Sequence, residues 1–82
     1  MSEIDKNEPT LLENIRSGYD TFSKGQKRIA GYILDNYVSA AYMTAARLSK
    51  ETGVSESTVV RFATQLGYEG YPEMQSALQG ML

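Results

Sequence analysis

The chain has no cysteine and no histidine. Without thiolate or imidazole there is no disulfide scaffold, no Cys nucleophile, no Ser-His-Asp catalysis, and none of the usual ligands for zinc, copper or an iron–sulfur cluster. Neither metal nor cofactor is expected. A Gly-rich phosphate loop is also missing, and no isolated carboxylate pair suggests a division between acid and base, so the chain does not read as an enzyme. No apolar run approaches the roughly 18 residues of a membrane span. The opening MSEIDKNE has neither the basic nor the apolar region of a signal peptide. A cytoplasmic protein without a membrane partner is the expectation. Two prolines and seven glycines leave no low-complexity signature. What remains is 82 residues, 41% of them apolar, which is one modest core and too little for a two-domain enzyme.

Net charge is −2, which at face value argues against a polyanionic partner, but the charge is unevenly spread. Residues 1–9 hold Glu3, Asp5 and Glu8 against Lys6, and read as a flexible polar tail ending at Pro9. Between residues 23 and 66 the balance reverses: Lys24, Lys27, Arg28, Arg47, Lys50 and Arg61 face only Asp35, Glu51 and Glu56. That excess is modest, and alone it fits a solvated surface as well as a nucleic-acid site.

The pattern from residue 10 to 82 is helical throughout, with no strand signal, and predicts an all-α bundle of about five helices. Thr10 with Glu13 and Ser23 with Gln26 form two capping boxes, each marking a helix start. The first helix sets Leu11, Leu12, Ile15 and Tyr19 on one side and weakens at Gly18, with Phe22 tucked inward beyond it. The second, over about 23–37, carries Ile29, Ala30, Ile33, Leu34 and Tyr37. Gly31 in its interior suggests a close helix contact, while residues 38–43 read equally as a short helical turn or a loop. Thr44 caps a short helix over 45–52 that ends at Gly53. Ser55 caps the next, with Val59, Phe62, Ala63 and Leu66 at helical spacing and Gly67 as its stop. Pro72 at a first helical position opens a last helix bearing Met74, Ala77 and Leu78.

Short helix, glycine turn, apolar residue, second helix: this order is that of a helix-turn-helix. Ser49 is small where the two helices cross, Gly53 takes the turn, and Val54, Val59 and Phe62 wedge the second helix in place. An αα-corner with glycine need not touch DNA, but here every offset over 45–64 fits. The outward face of the second helix then holds Glu56, Ser57, Val60, Arg61, Thr64 and Gln65. Arg61 suits guanine O6 and N7, Glu56 a cytosine amino group, Val60 a thymine methyl, and Ser57 a base edge or a phosphate. Ser55 and Thr58 lie at the helix N-terminus, which favours a phosphate. Thr44, Arg47, Lys50 and Thr64 are further candidate phosphate contacts, as is the Lys24, Lys27, Arg28 group. Each has a plainer role open to it, a surface ion pair for Arg61 and helix-dipole stabilisation for Glu56.

The run MTAARLSKETGVSESTVVRFATQLGYEGYPEMQSALQ resembles the N-terminal DNA-binding domain of the RpiR (MurR/RpiR) family of bacterial transcriptional regulators. GVSESTVVRF at 53–62 and LGYEGYPE at 66–73 carry most of the likeness, and FSKGQKRIAGYIL at 22–34 is similar to the family's second helix. The chain departs from that pattern at Ser49, where alanine is usual, at Thr64 and Gln65, where many members are basic, and at Gly25 and Gln26, in place of a more helix-favouring pair. The resemblance implies operator binding as a homodimer, in control of sugar or amino-sugar genes. It also implies a C-terminal domain that senses a phosphorylated sugar and for which 82 residues leave no room. The expected partner is therefore double-stranded DNA. A helical protein-interaction or dimerisation module is the alternative, supported by the acidic balance and six tyrosines. The DNA reading requires that Tyr71 and the terminal segment leave the outer face of the second helix uncovered.

Overall fold

Among the described residues four helices begin at a Ser or Thr hydroxyl, and the order of those caps sets the architecture. The computed structural model describes residues 10–82; the tail expected over 1–9 lies outside the described residues. The elements are α1 (Leu11–Gly18), a 3-10 turn (Tyr19–Thr21), α2 (Lys24–Ala40), α3 (Ala45–Thr52), α4 (Glu56–Gln65) and α5 (Tyr71–Gln79). At the start of α1 the Thr10 hydroxyl accepts from the Glu13 N–H at 3.2 Å, and the Glu13 carboxylate accepts from the Thr10 N–H at 3.3 Å. Ser23 and Gln26 repeat that exchange at α2. Thr44 accepts from the Arg47 N–H, and Ser55 from the Thr58 N–H. Each cap satisfies a backbone donor that the helix itself leaves open. Only α5 starts without one, at Gly70.

Among the described residues the longest helix, α2, is the hub: it packs against the other four. Ile15 of α1, Ile29 and Ile33 of α2, Leu48 of α3, Val59 and Phe62 of α4, and Met74 and Leu78 of α5 meet as a fully buried core. Phe22 joins them, its ring edge-on to Phe62 at 5.1 Å between centroids. Burying a side chain of this size contributes about 1.5–3 kcal/mol.

Side chains of α5 fasten the connector between α2 and α3. The Tyr71 hydroxyl donates to the Met43 carbonyl at 2.6 Å, and the Gln75 amide donates to Met43 at 3.0 Å and to Ala41 at 3.2 Å. Gln79 donates to the Ala41 carbonyl at 2.9 Å. Burial pushes the Tyr71 hydroxyl up to about 12, so it stays a neutral donor.

The structure revises several sequence expectations. Helix α2 continues to Ala40 rather than ending near residue 37, bending at Asn36, where φ is −139° and ψ 43°. There the Asn36 side chain donates to the Tyr32 carbonyl, the local competition by which Asn disturbs helices. Among the described residues no atom outside the helix lies within 4 Å of a Cβ built on Gly31, so none of them makes the close contact expected there. Tyr19 is 37% exposed rather than part of the inner stripe, because the tightening to a 3-10 turn after Gly18 breaks the helical period. Pro72 stands second in α5, after Tyr71.

Candidate nucleic-acid interface

The α3–α4 corner is built by Gly53. Its φ of 75° is left-handed, and its N–H and that of Val54 both donate to the Ser49 carbonyl, at 2.9 and 3.1 Å. An L side chain resists this conformation and glycine does not, so the chain turns sharply where the sequence placed the turn. Two residues later Ser55 caps α4, and Val54 packs against the core between them. Gly67, with φ of 102°, closes the other end of α4, where Tyr68 N–H donates to the Ala63 carbonyl.

With Val59, Phe62 and Ala63 fully buried, the helical period turns Glu56, Ser57, Val60 and Arg61 to solvent together. Val60 is 40% exposed, high for an apolar residue on a helix so well packed. Tyr71 does not cover this face: its ring is buried and its hydroxyl is committed to Met43. Beside α4 an open groove of about 450 Å³ runs past Thr44, Ala45, Glu56, Val60, Tyr71 and Pro72. Among the described residues no carboxylate lies within ion-pair distance of Arg61, whose surface-pair role is therefore not realised.

The candidate phosphate residues divide. Lys50 is exposed. Arg47 is held by Glu51, Nε to Oε2 at 2.9 Å, an i,i+4 pair that offsets its charge. The hydroxyls of Thr44 and Ser55 already accept the capping N–H groups, and Ser55 Oγ also lies 2.8 Å from Thr58 Oγ1 and 3.0 Å from Ser57 Oγ. Thr64 donates its hydroxyl to the Arg61 carbonyl at 2.9 Å. Of the upstream group, Lys27 is drawn to the Tyr19 ring, its Nζ 5.3 Å from the centroid. Lys24 and Arg28 remain exposed.

Two contacts of α2 with the corner were not legible in the sequence. A Cβ on Gly25 would touch Thr58 and Val54 at 3.5 Å, and one on Gly53 would lie 3.9 Å from Arg28 Nη1. The first turns of α2 thus flank the α3–α4 corner, with Arg28 beside Gly53. Gln26, read only as a capping residue, also donates to Gln65 Oε1 at 2.9 Å. Its capping box was the sole sequence signal for it.

Comparison with known proteins agrees with this geometry. The family described as "Helix-turn-helix domain, rpiR family" matches residues 9–82. The chain is 38% identical over 71 residues to the uncharacterized HTH-type transcriptional regulator YfhH of Escherichia coli, covering 87% of this chain and 25% of YfhH. It is 40% identical over 68 residues to the HTH-type transcriptional regulator HexR of Pseudomonas aeruginosa, covering 83% of this chain and 24% of HexR. Among solved structures, the Vibrio vulnificus NanR protein complexed with ManNAc-6P superposes with a TM-score of 0.83 at 38% identity, covering 87% of this chain and 27% of NanR. The chain thus spans about a quarter of the length of these relatives. An all-helical bundle, a left-handed glycine at the corner and a match over nearly every residue lead to one assignment: the chain belongs to the rpiR family of helix-turn-helix transcriptional regulators.

Proposed function

We propose that this chain reads duplex DNA by laying α4 in the major groove while α3 crosses the sugar-phosphate backbone. The observation that carries the reading is the outer face of α4, where Glu56, Ser57, Val60 and Arg61 stand exposed together beside an open groove. Arg61 is assigned to guanine, Glu56 to a cytosine amino group, Val60 to a thymine methyl and Ser57 to a neighbouring base edge. Lys50, Ser55, Thr58, Thr64, Thr44 and Arg47 are assigned to phosphates. Arg47 must first release Glu51, which makes it the weakest of the six. Arg28 joins them from α2.

One recognition helix covers few base pairs, so useful specificity calls for a homodimer on half-sites one turn apart, about 34 Å. By analogy with NanR and its phosphosugar, we assign effector sensing to the part of the relatives that this chain does not span. A regulator of sugar or amino-sugar genes acting in the bacterial cytoplasm fits that assignment, and catalysis has no part in it.

Selection of binding sites from random oligonucleotides tests the reading. It should return a motif with twofold symmetry. Affinity for that motif should fall steeply with salt, the log-log slope growing by roughly 0.9 for each phosphate contact. A flat salt response would favour the protein-interaction module instead.

A further inference from the structure

Gln26, at 5% exposure, is the only amide or charged side chain buried among the described residues. Its amide has a single workable orientation. The Ser23 backbone N–H is a donor only, and it lies 2.9 Å from Gln26 Oε1, so the oxygen must sit there. That leaves Gln26 Nε2, likewise a donor only, 2.9 Å from the Gln65 side chain, which must answer with Oε1. A glutamine amide has one accepting end and one donating end. With the accepting end of Gln65 turned inward, its two N–H groups point away from the core. A backbone donor at the start of α2 therefore sets, through two side chains, what the last residue of α4 presents outside.

We propose that Gln26 is a positioning residue that fixes the polarity of the Gln65 amide, so that the end of α4 offers DNA a donor for a phosphate oxygen and never an acceptor. This rests on the DNA reading above. Base edges in the major groove display both donors and acceptors, whereas phosphate oxygens only accept, so a residue locked as donor suits the backbone best. Position agrees: Gln65 is exposed at the last position of α4, tied to the first turn of α2 through Gln26. A preset amide avoids the cost of ordering a free side chain on binding.

The test is Gln26→Glu in the full chain. Glutamate preserves the capping box, accepting from Ser23 as before, but once ionised, well above the carboxylate range of pH, its second oxygen cannot donate, so Gln65 must turn its N–H groups inward. In nitrogen-edited NMR spectra without DNA, exchange of the Gln65 side-chain protons with water should slow several-fold in the variant; unchanged exchange overturns the proposal. On the selected DNA site, Gln26→Glu should weaken binding about tenfold, the scale of one hydrogen bond to a charged group. Most of that loss should vanish in a Gln65→Ala background, and an equal loss in both backgrounds overturns the proposal. Gln65→Glu covers the case in which Gln26→Glu fails to fold. It still accepts from Gln26 but faces DNA with an acceptor, so unchanged affinity would also overturn the inference. If the unaltered chain shows no salt-dependent DNA binding, the DNA reading and the phosphate assignment fall together. Binding that persists without coupling between residues 26 and 65 removes only the inference.

Discussion

On one side of α4, Val59, Phe62 and Ala63 are fully buried, with Phe22 edge-on against the Phe62 ring. On the other, Glu56, Ser57, Val60 and Arg61 face solvent, and among the described residues no side-chain partner holds Arg61. The inner side is constrained by shape, because interiors are packed to crystal density and a change of one methylene is felt. The outer side, open to solvent, is under no such packing constraint. That separation lets a recognition helix change what it reads without changing where it sits.

Four substitutions would break or sharpen this contrast. The largest effect is expected from Phe62→Ala on the inner side, about 3–5 kcal/mol of unfolding free energy by urea titration. Wild-type stability in that variant would mean that Phe62 does not anchor α4. Next comes Arg61→Ala on the outer side, about 1–3 kcal/mol of cognate DNA affinity with a relaxed preference at one base pair and an unchanged urea midpoint. Equal weakening on cognate and random DNA would instead make Arg61 a phosphate clamp. Gly53→Ala, at the corner joining the two helices, should cost about 1–2 kcal/mol of stability through its left-handed φ. Crowding adds little, since only Arg28 comes within 4 Å of the new Cβ.

The smallest effect is expected at Tyr71, where Phe removes one donor to Met43 and should cost about 1 kcal/mol. This site also carries a pH signature. The hydroxyl titrates near 10.0 when unfolded and about 12 when folded, so the folded chain keeps the proton longer. Its contribution is complete below pH 10 and is lost as pH rises toward 12. Tyr68, raised by burial and then by Glu73, acts in the same direction. Thermal melts across that range should show a shallower decline for Tyr71→Phe than for the unaltered chain.

Much of this was written in local pattern. Thr10 with Glu13 and Ser23 with Gln26 announce their helices because the bonds they form span three residues. Gly53 and Gly67 announce the stops because positive φ is a demand of the backbone itself. The grouping of Glu56, Ser57, Val60 and Arg61 follows from helical period alone. Pattern failed where distant segments decide the outcome. Gly31 looked like a point of close contact, yet among the described residues its neighbourhood is open. The close approach belongs to Gly25, which meets residues of the α3–α4 corner. Nothing in the run around Gln26 tells that its amide meets Gln65, 39 residues away. The Asn36 bend likewise lay in a stretch whose apolar spacing continues smoothly through it.

The three donors that α5 sends to the Ala41 and Met43 carbonyls bear on where this domain can be shortened. Thr44, the cap that launches α3, directly follows Met43, so the polypeptide's far end steadies the entry to the corner that aims α4. Deleting everything after residue 74 would leave each α3 and α4 side chain in place and keep Tyr71, yet remove Gln75 and Gln79 and with them three of the four hydrogen bonds that hold this hinge. Such a truncation should melt earlier and lose operator affinity beyond what its missing apolar area explains.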